Sequence, residues 1–341
     1  MQHGRMIFER KAFPGAVADF EKAVHAQDYQ GAERAFEQLH RTAGKARDGD
    51  YREAGPRLAA LLRQLPPGPR AAVAVVVGAC VERGADALAC APEVFAGARE
   101  GFTAAAEFCT RWAESGGGEL PEPDDELTEA IVERTGQEPA IGWFTLEQWE
   151  KAGVAMLNAA AVRRTAEDKA ELLALVERVA EASGHAFTCL TYALRVLDDE
   201  PLVVLHRDSG TGYALRMSGI GDNFQLHTLL AGVLIGGMHV PGEAPSAHEI
   251  AVSRDAPGQV PTTGAFNLVG ADGSWIFNES SPCDIDVVDG VRLLVLDPPP
   301  YRRSWPAGRF FPGMHGDLVL ERVLGTEEAA GWFRKLAPDQ G

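Results

Sequence analysis

At Asp198-Asp199-Glu200-Pro201 the chain changes its hydrophobic period, and this break constrains the fold more than any other feature. Upstream, apolar residues recur every three to four positions, the spacing of one helix face. Downstream, short apolar runs are cut by glycine-containing turns, the pattern of strands and hairpins. With 341 residues the chain also exceeds the usual size of a single core, which favours two domains. The expectation is an α+β protein. Residues 1–198 should form an all-helical bundle or short α-solenoid, with a possible sub-boundary near 116–124. Residues 199–341 should form a hairpin-rich antiparallel β domain with one or two helices.

The helical reading rests on particular residues. Ala16, Phe20, Ala23 and Val24 share one face of a first helix, and Ala32, Phe36, Leu39 and Ala43 one face of a second. Asp28-Tyr29-Gln30-Gly31-Ala32 with Phe36 resembles a single tetratricopeptide motif, but no second copy follows at a fixed period. Further helices are expected near 54–64, 70–83, 92–115, 124–135, 145–162, 165–183 and 186–197. Pro66-Pro67-Gly68-Pro69 reads as a hard stop, and Asp124, Thr145 with Gln148, and Thr165 with Asp168 as helix starts. His25, His40 and His185 fall at helix ends, where an imidazole complements unpaired carbonyls.

Composition narrows the function. The formal charge is −17, and neither a nucleic-acid face nor an anionic-membrane face is compatible with a surface lacking clustered positive charge. The acidity is spread along the chain, since residues 200–341 hold 17 acidic and 10 basic side chains. The five cysteines, Cys80, Cys90, Cys109, Cys189 and Cys283, follow no zinc or redox spacing and fit small buried thiols of a reducing compartment. Met1-Gln2-His3-Gly4-Arg5 lacks the apolar core of a secretory signal. A cytoplasmic location is therefore expected, with no cofactor.

Beyond Pro201 the residues that could carry chemistry are concentrated. Asp272-Gly273 and Asp289-Gly290 each separate two apolar runs and supply the positive φ of tight hairpins. Ser218-Gly219-Ile220-Gly221-Asp222 leads into a helix beginning at Asn223. Asp222 and Gln225 read as a capping box, which disfavours an anion there. Leu226, Leu229, Leu230 and Val233 form that helix's apolar stripe, and at 100° per residue Asn223 and His227 lie together at its edge. A half-buried histidine beside an amide is a candidate general acid or base. Pro298-Pro299-Pro300-Tyr301-Arg302-Arg303-Ser304-Trp305-Pro306 joins planar guanidinium groups to rings. This makes Tyr301, Arg302, Arg303 and Trp305, with His315, candidate ligands for an anionic or aromatic group.

Other patterns are weaker. His239, His248 with Glu249, and His315 with Asp317 match no metal-binding spacing, so no metal is expected. Cys283 sits beside acidic groups that should raise its pKa, and Asp284 and Asp286 should share one side of an edge strand. No nucleophile elbow is present. The favoured reading is an interaction or regulatory protein, with a helical scaffold and a C-terminal domain that docks a protein partner or a small anionic ligand. The alternative is an enzyme acting on a small anionic metabolite through Asn223, His227, Arg302, Arg303 and His315.

Overall fold

The computed structural model describes residues 12–337, so the reading of Met1–Arg5 lies outside the described residues. The chain divides into two compact units between Leu194 and Arg195. The first is helical and the second holds a mixed sheet, an α+β protein. Among the described residues no helix is long and apolar enough to cross a membrane.

The helical unit comprises α1 (Ala12–His25), α2 (Tyr29–Ala43), α3 (Asp48–Ala59), α4 (Pro67–Glu82), α5 (Ala87–Glu114), α6 (Glu129–Thr135), α7 (Gln137–Trp143), α8 (Leu146–Leu157), α9 (Ala160–Thr165) and α10 (Lys169–Ser183). The last helix, α11 (Thr188–Arg195), ends at the boundary. A solenoid would have each repeat touch only its neighbours. Here the 28-residue α5 packs against α3, α4, α7, α8 and α10 and forms the axis of a bundle. Close approach is possible because α5 is small on one side: Trp149 of α8 lies directly on Gly97 and Gly101.

Several local expectations are corrected. The helical turn Leu62–Gln64 ends just before Pro66-Pro67-Gly68-Pro69, but the same run also starts a helix, with Pro67 as the first residue of α4. The first-turn N–H groups have no intrahelical acceptor, so proline loses nothing there. Thr128, not Asp124, caps α6, accepting from the Ile131 N–H at 3.4 Å. The Thr145 hydroxyl donates back to the Ile141 carbonyl at 2.8 Å instead of capping α8, and Thr165 closes α9, donating to Ala161 at 2.8 Å. Both hydroxyls use the preceding turn because a helix already exists there to offer carbonyls. His185 faces Glu122 at 3.4 Å and packs on Phe187.

The second unit contains β1 (Glu200–His206), β2 (Thr211–Ser218), α12 (Asn223–Leu234), α13 (Ala247–Arg254), β3 (Val260–Thr263), β4 (Asn267–Val269), β5 (Val287–Val288), β6 (Val291–Asp297), β7 (Ser304–Ala307), β8 (Asp317–Val323) and α14 (Thr326–Phe333). The main sheet runs β4-β6-β1-β2-β8, with β5 also on β6, while β3 and β7 form a separate ribbon. Strand β1 opens at Glu200 with Pro201 second, and α11 has already finished at Arg195. The sheet is not wholly antiparallel: β1 and β6 pair in parallel, Val204 opposite Leu294. Their central residues are buried on both faces, the condition under which parallel strands occur. One face carries a core of Leu202, Val204, Leu215, Met217, Leu294 and α12 leucines. The other packs Val203, Leu205, Leu293 and Val295 with Ala329 of α14.

Candidate functional site

The helix α12 is buried nearly all round, not along a stripe. Asn223 is fully buried, and His227 is 1% exposed where the sequence suggested a half-buried edge. The extra cover comes from the Phe266 segment and from Trp305 on β7, neither of which helix periodicity can register. Asp222 caps the helix, its Oδ1 accepting from the Gln225 N–H at 2.8 Å. The expected capping box is only half formed. The Gln225 amide instead accepts from the Gly221 N–H just before the cap and donates to the Ser253 carbonyl, the second bond tying α12 to α13.

Three candidates, His227, Arg303 and Trp305, converge around Phe266. Its backbone N–H donates to His227 Nε2 at 3.1 Å. The same Nε2 lies 3.3 Å from the Phe266 carbonyl, so it accepts from the amide in one tautomer and donates to the carbonyl in the other. Burial, assisted by the positive charge of Arg303, pushes the His227 pKa down to about 4, although its bond to Phe266 pulls the other way. Trp305 meets the same imidazole edge to face at 4.9 Å. Arg303 Nη2 donates to the Phe266 carbonyl at 2.8 Å, while its Nε is buried with no partner. A neutral, enclosed histidine whose Nε2 is already occupied is a structural latch in this state.

Arg303 also carries a surface feature. Its guanidinium carbon lies 5.1 Å from the Trp275 ring centre and 5.9 Å from that of Tyr301. Trp275 stacks on Phe277, with centres 6.0 Å apart and planes 13° apart. These rings are open to solvent: Phe277 is 63% exposed, Tyr301 58% and Trp275 37%. Asn223 braces the patch from beneath, donating to the Phe277 carbonyl at 3.1 Å and to Ser280 Oγ at 3.0 Å, while its own Oδ1 is buried without a partner.

No protein-family model, curated protein or solved structure matches this chain. Chemistry alone must therefore assign the site.

The remaining candidates lie elsewhere. Arg302 is exposed and lines a separate cleft of about 400 Å³ with Glu243, Glu249, Thr262, Thr263 and Ser304. His315 is exposed and joins none of these groups. Among the described residues no cluster of three or more His, Cys, Asp or Glu side chains could hold a metal ion. Asp284 caps its own turn by accepting from the Ser281 N–H at 3.1 Å and so is not on a strand with Asp286. Burial is the first cause raising the Cys283 pKa, ahead of Asp284. Cys80, Cys90 and Cys109 are buried, but Cys189 is exposed.

Sequence reasoning passed over Trp275 and Phe277 as site residues. The signal existed: two aromatics two positions apart, just beyond Asp272-Gly273, must share one face of a hairpin.

Proposed function

We propose that the chain is a cytoplasmic interaction protein whose C-terminal unit docks a protein partner on the Trp275–Phe277–Tyr301 patch, with Arg303 receiving a carboxylate and the helical unit serving as scaffold. The observation that carries this reading is the exposure of three aromatic rings, two of them beside the Arg303 guanidinium and the third, Phe277, stacked on Trp275. Such a patch costs solvation while open and is stabilised when covered. Aromatic and arginine side chains are also the types that dominate binding energy at interfaces. Arg303 brings a positive charge to these rings, and its own hydrogen bonds run through Nη2. The net charge of −17 would repel a polyanion. An apolar segment bearing a single Asp or Glu fits both conditions.

The alternative, an enzyme acting on a small anionic metabolite through His227, has less support. An acid or base must reach the reacting atom, and this ring is enclosed with Nε2 bonded to Phe266.

The test is selection from a displayed peptide library with the full chain, followed by titration of the selected peptides in solution. The expected result is enrichment of apolar sequences containing one carboxylate, with affinity falling at least about tenfold in Phe277→Ser and Tyr301→Ser variants. Failure to select any sequence, or peptides that bind the variants undiminished, would overturn it.

A further inference from the structure

A second pocket, sharing no residue with the aromatic patch, lies at the start of α12. It has a volume of about 280 Å³, and its walls include Asp222, Phe224, Trp305, Pro306, Arg309 and Phe310. Two of its rings, Phe224 and Trp305, meet at 5.4 Å between centres, tilted by 56°. Phe310 is held in turn against Phe311 at 4.7 Å, and the backbone at Gly221 presses close to both, since a Cβ there would come within 3.0 Å of Phe310.

The charge in this pocket is unusual. Among the described residues the Asp222 carboxyl makes no ion pair; its Oδ1 accepts from the Gln225 N–H, and the strongest charge acting on it is another carboxylate, Glu279. Arg309, also in the wall, commits its two terminal nitrogens to the Met314 and Ala256 carbonyls, both at 3.1 Å. The acid that acts on it is Asp255, not Asp222. The Trp305 Nε1–H is buried with no acceptor. A largely buried carboxylate is costly without a counter-charge. Aromatic faces carry negative potential and attract a cation but offer nothing to an anion.

We propose that this pocket binds an organic ammonium group, primary or quaternary, held by the Asp222 carboxylate against the Phe224, Trp305 and Phe310 rings. The volume suits an amine head with a few carbons. Such a group can come from a free small amine or from a lysine side chain, methylated or not, on another protein. The recognition chemistry is the same for both.

Calorimetric titration of the full chain tests this with choline, butylamine and 3,3-dimethylbutan-1-ol, the neutral isostere of choline. A short capped peptide containing trimethyllysine forms a further arm. Saturable choline or butylamine binding is expected, at least about tenfold tighter than the neutral alcohol. Asp222→Asn should weaken it by a similar factor while the α12 cap survives, because asparagine caps as well as aspartate. Tighter binding of the peptide than of the free amines would assign the site to a lysine side chain, and the reverse to a small amine. The proposal fails if the alcohol binds as well as choline, if Asp222→Asn binds choline undiminished, or if no amine saturates. Should Asp222→Asn not fold, the comparison of choline with its isostere on the unaltered chain decides alone. None of these outcomes bears on the aromatic patch, which Phe277→Ser probes separately.

Discussion

His227 and Arg303 are held by opposite ends of one residue's backbone: the Phe266 N–H donates to His227 Nε2 at 3.1 Å, and the Phe266 carbonyl accepts from Arg303 Nη2 at 2.8 Å. The buried face of α12 and the exposed guanidinium loop are thereby positioned by a single residue. This linkage gives His227 a mechanical role, since moving Phe266 must move Arg303.

Replacing His227 by leucine keeps bulk but leaves the Phe266 N–H buried without an acceptor. That should cost about 1–3 kcal/mol, and alanine, which also opens a cavity, about 2–4 kcal/mol. Urea unfolding of both variants checks this. A loss below about 0.5 kcal/mol for either would mean the latch is not structural.

Two groups on one helix have opposed pH dependence. His227, lowered to about 4, binds fewer protons folded than unfolded, so it makes stability fall as pH drops from about 6.5 to 4. Asp222, raised to about 6 mainly by burial, binds more protons folded, so it makes stability rise as pH drops from about 6 toward 4. Removing the second alone should expose the first. Asp222→Asn should therefore lose more stability than the unaltered chain between pH 6.5 and 4.5, by roughly 1–2 kcal/mol. Denaturant titrations at the two pH values measure the difference, and equal losses in both proteins would refute the assignment.

Gly101 of α5 is required by its neighbour, not by its backbone. A Cβ there would lie 2.7 Å from Trp149 Cδ1 and Nε1. Gly101→Ala should destabilise by about 1–3 kcal/mol despite the better helix propensity of alanine. Gly15 of α1 has no atom within 4 Å of such a Cβ, so Gly15→Ala should stabilise by about 0.5–1 kcal/mol. Thermal melts of the pair should move in opposite directions.

Tyr301 and Phe277 are exposed and bear on binding more than on folding. Serine at either position should change stability by less than about 0.5 kcal/mol while reducing binding of a peptide selected on the patch. Parallel melting and titration separate the two effects. A large drop in melting temperature would assign these rings to the fold.

What could be read from the sequence follows the range of the interactions involved. Helical periodicity in α1, α2 and α5, the switch to strands after Asp199, and the turns at Asp272-Gly273 and Asp289-Gly290 depend on neighbours within a few residues. Asp289 at φ +52° and Gly290 at +81° form the expected pair, whereas at Asp272-Gly273 only the glycine is positive, at +85°, and a single bridge, Val269 to Trp275, closes the wider loop. Even the local signals erred where a side chain had two possible partners, as at Thr145. The parallel pairing of β1 with β6, the enclosure of His227 by Trp305 and Phe266, and the meeting of Trp275 and Tyr301 at Arg303 join segments far apart in the chain. Their energy comes from burial and from hydrogen bonds that exist only once the sheet has closed over α12. The period and turns of the sequence thus determined a helical part followed by a strand-rich part, and the tertiary structure decided which polar residues are sealed and which rings face solvent.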